Sequence, residues 1–187
     1  AEPMPLELPL HTPRLLLRDF AAADWEAVQE YACRPEVVRY MPWGPNSEAD
    51  SRDFVGRALA AQAVSPRANF ELAVIWRESG QLIGGCGLSV QSQSHRVGEI
   101  GYCLRPEFWG RGCAAEATGA LLALGFEQLQ LHRVQASCDP ENIASRRVLE
   151  KLGMQQEGRL RQNLNMRGQW RDSLLWSILE HEWRARR

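Results

Sequence analysis

Trp109-Gly-Arg-Gly-Cys-Ala-Ala-Glu116 sets two glycines, Gly110 and Gly112, between an apolar run that reads as a strand and a small-residue run that reads as a helix. A helix start offers unpaired N–H groups and a partial positive charge. Glycines, lacking a Cβ, let the backbone come close to an anion, so this turn suits a pyrophosphate. Neither common nucleotide signature is complete: Ala115 stands where a dinucleotide fingerprint needs its third glycine, and the Gly-Lys-Ser/Thr of a P-loop is absent. By itself the segment reads equally well as a tight turn.

A second candidate is Glu99. An acid inside a central strand is unusual, and here it alternates onto one face with Gly101 and Cys103. The small neighbours leave room for a substrate or a water, which suits a proton acceptor; an ion pair with an arginine is the alternative. Asn142 reads as a helix N-cap, with Ser145 three residues on in the first turn. Cys103 and Cys113 lie near these residues, but no histidine is close in sequence to activate them, and packing explains them better than nucleophilic catalysis. Trp43 lies in the loop Tyr40-Met-Pro-Trp-Gly-Pro45, where it and Tyr40 could meet a substrate or pack in the core.

These residues need a scaffold. Arg14 to Asp19 reads as a strand, and Asp24 as the N-cap of a helix to about Cys33 that Pro35 stops. Ser47-Glu-Ala-Asp50 resembles a capping box opening a helix to about Ala63. Phe70 to Trp76 and Leu82 to Val90 form a hairpin over Glu78-Ser-Gly-Gln81, and Val97 to Leu104 follows as a third strand. After the glycine turn come a helix from Cys113 to Gln128, a strand from Arg133 to Cys138, and a helix from Asn142 to about Leu152 that Gly153 ends. Two strands, near Gln155 to Leu164 and Asp172 to Leu179, close the chain. The order predicts an α/β (α+β) fold: a mixed, mostly antiparallel sheet of about seven strands flanked by helices. Residues 1–187 are expected to form one domain, with 1–10 as a flexible leader and 182–187 as a solvated tail.

Composition removes several function classes. The chain is 44% hydrophobic and 24% charged with a net charge of -1, and Lys151 is its single lysine, so no basic field points to a nucleic-acid partner. No apolar run approaches the roughly 18 to 20 residues a membrane span needs, and a cytoplasmic location is expected. The five cysteines are scattered without a C-x-x-C spacing, which argues against a disulfide framework and against a metal site.

Leu131-His-Arg-Val-Gln-Ala-Ser-Cys-Asp-Pro-Glu-Asn-Ile-Ala-Ser-Arg-Arg-Val-Leu-Glu-Lys-Leu-Gly-Met-Gln-Gln-Glu-Gly158, with Gly98-Glu-Ile-Gly-Tyr-Cys-Leu104 and the Gly-x-Gly-x-Ala turn, closely resembles the GNAT N-acetyltransferases. It is most similar to the branch that modifies the N-terminal amines of ribosomal proteins. The resemblance runs from about Leu15 to Leu179 and implies acetyl-CoA as donor. On that likeness the turn from Gly110 through Arg111, Gly112 and Cys113 to Ala114 holds the cofactor phosphates, with the amides of Arg111 to Ala114 on the pyrophosphate. The strand Tyr102-Cys103-Leu104 pairs with the pantetheine arm. Asn142 contacts the cofactor, Ser145 lies near the sulfur to help the thiolate leave, and Glu99 takes the amine proton, often through water. Tyr40 and Trp43 fall on the acceptor side. Glu107 departs from the Gln or Arg usual in the wider superfamily, which bears on a side-chain phosphate contact from that position and not on the backbone cradle. Homodimers occur in this branch.

The function this implies is direct acetyl transfer from acetyl-CoA to a primary amine, foremost the N-terminal α-amine of a ribosomal protein, without a covalent enzyme intermediate. A free α-amine has a pKa of about 7.7 to 8.0, against about 10.4 for lysine, so positioning matters more than proton removal. A backbone N–H of the Tyr102 to Leu104 strand is expected to stabilise the oxyanion. The alternatives are a small amine acceptor (polyamine, amino sugar or antibiotic), with no acidic cluster evident in the sequence to favour a polycation, and a non-catalytic acyl-CoA sensor or assembly module.

Overall fold

The apolar runs assemble into one eight-stranded sheet in a computed structural model that describes residues 6–187. Its strands are β1 (Leu10–His11), β2 (Leu15–Asp19), β3 (Asn69–Trp76), β4 (Gln81–Ser92), β5 (Val97–Leu104), β6 (Arg133–Cys138), β7 (Gln155–Met166) and β8 (Gln169–Leu179). They lie in the order β1-β2-β3-β4-β5-β6-β8-β7, and every neighbouring pair is antiparallel except β5 and β6. The helices are α1 (Trp25–Ala32), α2 (Pro35–Val38), α3 (Glu48–Gln62), α4 (Cys113–Ala123), α5 (Ile143–Lys151) and α6 (Glu180–Ala185).

Alternation along β3 explains the two layers. Phe70, Leu72 and Val74 point to one face, where they pack with Leu88, Ile100 and the α4 residues Ala117 and Leu121. Ala73 and Ile75 point to the other, against Val28 and Tyr31 of α1 and Val55 of α3. Both faces of the central strands are thus covered, and each fully buried Leu or Phe contributes about 1.5–3 kcal/mol. The polar exceptions on the second face, Glu71 and Glu99, stand out against this background.

The parallel pair sets up the site. Strands β5 and β6 are in register only over Val97 to Glu99 against Arg133 to Gln135. Beyond Glu99, β5 stays with β4 as far as Leu104 opposite Gly84, while β6 stays with β8 as far as Cys138 opposite Leu174. The two strands therefore part, and the β6 side of β5 from Ile100 onward has no strand beside it.

Several expectations are corrected. The sheet has eight strands because Leu10–His11 forms a short edge pair with Leu16 and Leu17. Residues 6–10 are not a free leader: Leu8 and Leu10 pack on the core and the Glu7 amide donates to Gln128; residues 1–5 lie outside the described residues. The segment 182–187 is not a solvated tail, because α6 buries Trp183 against Phe126 with ring centroids 5.3 Å apart. Asp24 is the N-cap residue of α1 but makes no side-chain cap bond; its carboxylate accepts from the Ala21 amide and pairs with Arg18. The helix from Cys113 is α-helical only to Ala123 and continues as a π turn over Leu124–Gln128. In contrast, the Ser47 capping box is present in both directions, with Asp50 N to Ser47 Oγ at 3.2 Å and Ser47 N to Asp50 Oδ2 at 2.9 Å.

Candidate functional site

The glycine turn between β5 and α4 is left-handed at both glycines, with φ of +69° at Gly110 and +80° at Gly112. This geometry turns the first amides of α4 outward. Among the described residues, the N–H groups of Arg111, Gly112, Cys113 and Ala114 donate to no backbone carbonyl, leaving a set of donors at a helix start. The chain locks the turn from outside. Glu116 accepts from Thr12 Oγ1 at 2.6 Å, from the Arg14 amide at 3.0 Å and from Arg14 Nε at 2.8 Å, while Arg14 Nη1 donates to the Arg111 carbonyl at 2.8 Å. Partial burial opposes the charge on Glu116, but the hydrogen bonds from Thr12 and Arg14 outweigh it and hold its pKa below the usual range. Arg111 extends over the rings of Trp76 and Phe108. Glu107 points away, paired with Arg34 at 2.6 Å. The turn fits a phosphate group: its free donors, positive φ values and exposed Arg111 leave no anionic side chain in the way.

The opening between β5 and β6 is faced by α5. Asn142 caps α5 by accepting from the Ser145 amide at 3.2 Å. Ser145 Oγ in turn lies 2.8 Å from the Tyr102 hydroxyl. Burial raises the Tyr102 pKa, while the contact with Ser145 lowers it by less, so the phenol is a neutral donor near neutral pH. Sequence reasoning placed Tyr102 here for its backbone only; its alternation onto the α5 side of β5 was the available signal. Leu104 is buried, and its carbonyl accepts from the Trp109 indole at 2.9 Å. The start of α5 is itself pinned: Asp139 accepts from the Glu141 amide at 2.9 Å and from Arg171 at 2.8 and 2.9 Å.

On the opposite face of β5 a cavity of about 710 Å³ lies between the sheet, α1, α3 and the loop before α3. Its floor follows from strand register. Gly85 faces Cys103, Gly87 faces Gly101, and Ser89 faces Glu99, with Glu71 of β3 opposite Gly87. Glycines thus leave the floor bare where Glu71 and Glu99 border it. Glu99 is half-buried and makes no ion pair among the described residues; its nearest polar partner is Gln135 Nε2 at 3.5 Å. Asp50, Asp53 and Arg57 line the cavity from one stripe of α3, at helical spacing. Four carboxylates and one arginine therefore surround the space. The expectation of no acidic cluster is corrected by the fold, because positions 50, 53, 71 and 99 come together only through α3 and three strands. No group of three His, Cys, Asp or Glu among the described residues is arranged to hold a metal ion.

Cys103 also lines the cavity, but burial pushes its thiol up to about 12, and burial raises Cys113 as well. Neither is a ready thiolate at neutral pH. Trp43 is 38% exposed and lines the cavity mouth. Tyr40 is not among the lining residues; the Arg39 guanidinium lies 5.0 Å from its ring centroid. The mouth loop is held from across the molecule. At the β7–β8 turn Arg167 donates to the carbonyls of Val38, Arg39, Met41, Trp43 and Gly44, at 2.9 to 3.3 Å. Replacing Arg167 by Ala frees these carbonyls. The expected result is an acceptor KM raised about tenfold with unchanged acetyl-CoA affinity, read from steady-state kinetics and calorimetry.

The GNAT acetyltransferase domain matches residues 14–155. The uncharacterized N-acetyltransferase YnaD of Bacillus subtilis is 37% identical over 172 residues, covering 92% of this chain and 97% of YnaD. A GNAT-family acetyltransferase structure from Bacillus anthracis superposes with a TM-score of 0.81 at 34% identity, covering 93% of this chain and 99% of that one. The spermidine N-acetyltransferase of Vibrio cholerae, solved with CoA and spermine, shares the fold with a TM-score of 0.79 at 21% identity over 92% of this chain and 99% of its own. The putative ribosomal N-acetyltransferase YdaF of Bacillus subtilis is 36% identical over 104 residues, covering 56% of this chain and 57% of YdaF. With a free-amide turn beside an opened strand pair, and with these matches over nearly its whole length, the chain belongs to the GNAT N-acetyltransferases, which use acetyl-CoA.

Proposed function

We propose that this acetyltransferase acts on a primary amine that enters the acid-lined cavity as an ammonium ion, the leading acceptor being the N-terminal α-amine of a protein, with ribosomal proteins as the favoured example. The observation that carries this reading is the cavity itself: four carboxylates against one arginine, over a floor that reaches Gly101 in the part of β5 with no β6 beside it. Acetyl-CoA supplies an activated acetyl thioester. The residues that would hold it are Gly110 to Ala114 for the phosphates, the free side of Tyr102 to Leu104 for the pantetheine arm, and Asn142 and Ser145 on α5. The amine would reach β5 from the cavity face, and the thiol would leave on the α5 face, where the Tyr102 and Ser145 hydroxyls stand ready to donate a proton. Separate faces for acceptor and leaving group match direct transfer.

The same carboxylates favour a second reading, a small di- or polyamine, whose several positive charges would use more than one of the acids. Thiol release separates the two. Peptides with free N-termini are expected to give acetyl-CoA turnover that the same peptides, N-acetylated beforehand, do not. If polyamines turn over and peptides do not, the second reading stands. Acetyl-CoA binding without release on any amine would favour a sensor.

A further inference from the structure

We infer that Glu71, rather than Glu99 alone, receives the ammonium group of the acceptor and takes its proton. The inference rests on the acetyl-transfer reading above and names the residue that activates the nucleophile.

Glu71 is the one acid in the otherwise apolar run Phe70-Glu-Leu-Ala-Val-Ile-Trp76, on a strand buried on both faces. Its carboxylate lies directly over Gly87: a Cβ built there would fall 2.7 Å from Oε2 and 2.9 Å from Oε1. Any side chain at 87 would displace the carboxylate, so the bare backbone of β4 is what lets it lie across the floor. The next position in the same cross-strand row is Gly101, where a Cβ would meet nothing within 4 Å. The row Glu71, Gly87, Gly101 therefore runs from a carboxylate, over a gap, to the point where β5 parts from β6. Glu71 lines the cavity, and no donor among the described residues hydrogen-bonds to it. Glu99, one row away, already has Gln135 as a neighbour and lies where the two strands are still paired.

The surroundings suit a base. Burial raises the Glu71 pKa, with Arg57 of α3 partly opposing it. The other ionisable groups acting on or near it are Tyr31 of α1, Cys86 of β4 and Cys103 of β5, which burial keeps protonated near neutral pH. Asp50 and Asp53 of α3 and Glu99 of β5 share the cavity. A carboxylate with a raised pKa is a stronger base than an exposed one. The ammonium gives one proton to Glu71, and the freed nitrogen lone pair forms the C–N bond to the acetyl carbonyl as the C–S bond breaks. The nitrogen then loses a second proton, the departing sulfur gains one, and Glu71 returns its own to water.

The test is Glu71→Gln, which keeps size and polarity but cannot accept the proton, compared with wild type and Glu99→Gln. Acetyl-CoA affinity by calorimetry is expected to be unchanged in Glu71→Gln, which reports an intact fold. Its kcat/KM for the amine should fall about 10²-fold. Its pH profile should change as well, the rate following only the free-amine fraction and rising about tenfold per pH unit up to the amine's own pKa. Wild-type turnover and an unshifted profile in Glu71→Gln, with loss in Glu99→Gln, would overturn the inference and leave Glu99 as the base. If Glu71→Gln does not bind acetyl-CoA, Glu71→Asp takes its place: partial activity with a shifted profile supports the proton role, and unchanged kinetics overturn it. Wild-type protein that binds acetyl-CoA but acetylates no amine would instead fail the acetyl-transfer reading, and this inference with it.

Discussion

Gly112→Val is expected to lower acetyl-CoA affinity about 10³-fold while leaving the protein folded. Gly112 sits at φ +80°, and a Cβ there would also come within 3.3 Å of Arg14 Nη2. A β-branched residue in the left-handed region costs about 2 kcal/mol, so the backbone escapes by swinging the turn. The swing moves the Gly112 and Cys113 amides off the helix axis, and each hydrogen bond lost to a charged acceptor removes about 1.5–3 kcal/mol. Two such losses amount to about 3–6 kcal/mol, centred near three orders of magnitude in affinity. Gly110→Ala is the milder comparison, because its Cβ meets nothing within 4 Å and only the positive φ of +69° is strained. Calorimetry on both variants checks this; wild-type affinity in Gly112→Val would mean that the phosphates do not lie on this turn.

The second large effect concerns stability. Asp139→Ala should destabilise the protein by about 3 kcal/mol, lowering Tm by roughly 6–12 °C for a chain of this size. The Asp139 side chain is only 3% exposed and anchors the start of α5 to Arg171 of β8. Its removal leaves the guanidinium with Glu141 alone. Burial works against the charged form of Asp139, yet the hydrogen bonds from Arg171 and the Glu141 amide prevail and depress its pKa. A carboxyl depressed in the folded state stabilises above its unfolded pKa of about 3.9, and that contribution is lost as pH falls through the lower folded value. The Tm gap between wild type and Asp139→Ala should therefore be constant near neutrality and shrink below about pH 4. A gap independent of pH in that range would show that packing, not the ion pair, carries the effect. Since α5 also carries Ser145, kcat should fall in the variant.

The glycine turn and the α5 cap were legible in the sequence because each is a local feature of the chain. The strand ending at Leu104, the glycines at 110 and 112, the helix from Cys113 and the Asn142 cap are local features, and local rules for turns and caps suffice to place them. The face shared by Glu99, Gly101 and Cys103 followed equally from period-2 alternation, and all three line the cavity. The gathering of four carboxylates around one cavity was not legible. Glu71 lies 28 positions before Glu99 in the sequence, and only strand register places Gly87 between Glu71 and Gly101. Glu71 did carry a signal, as an acid within an apolar run, and Asp50, Asp53 and Arg57 at helical spacing carried another. Arg167 carried none: its five carbonyl partners lie more than 120 positions away. Short elements failed for a related reason. β1 has two residues, too few for a periodic pattern, and α6 was hidden because its apolar content is one tryptophan among charges.

Holding a loop by its carbonyls to one distant guanidinium leaves that fastening indifferent to the side chains the loop displays. Tyr40 and Trp43 can be exchanged without disturbing this grip, since Arg167 holds only main chain, whereas Met41 packs on the core and Gly44 sits at φ +78° against Val38. On the function proposed above, the acetyl donor would meet a frame fixed by glycines and a helix start, whereas the acceptor would meet side chains carried on a main chain clamped from across the molecule. An engineer seeking a new amine specificity would therefore vary Trp43, leave Gly44 and Arg167 in place, and expect the variants to fold.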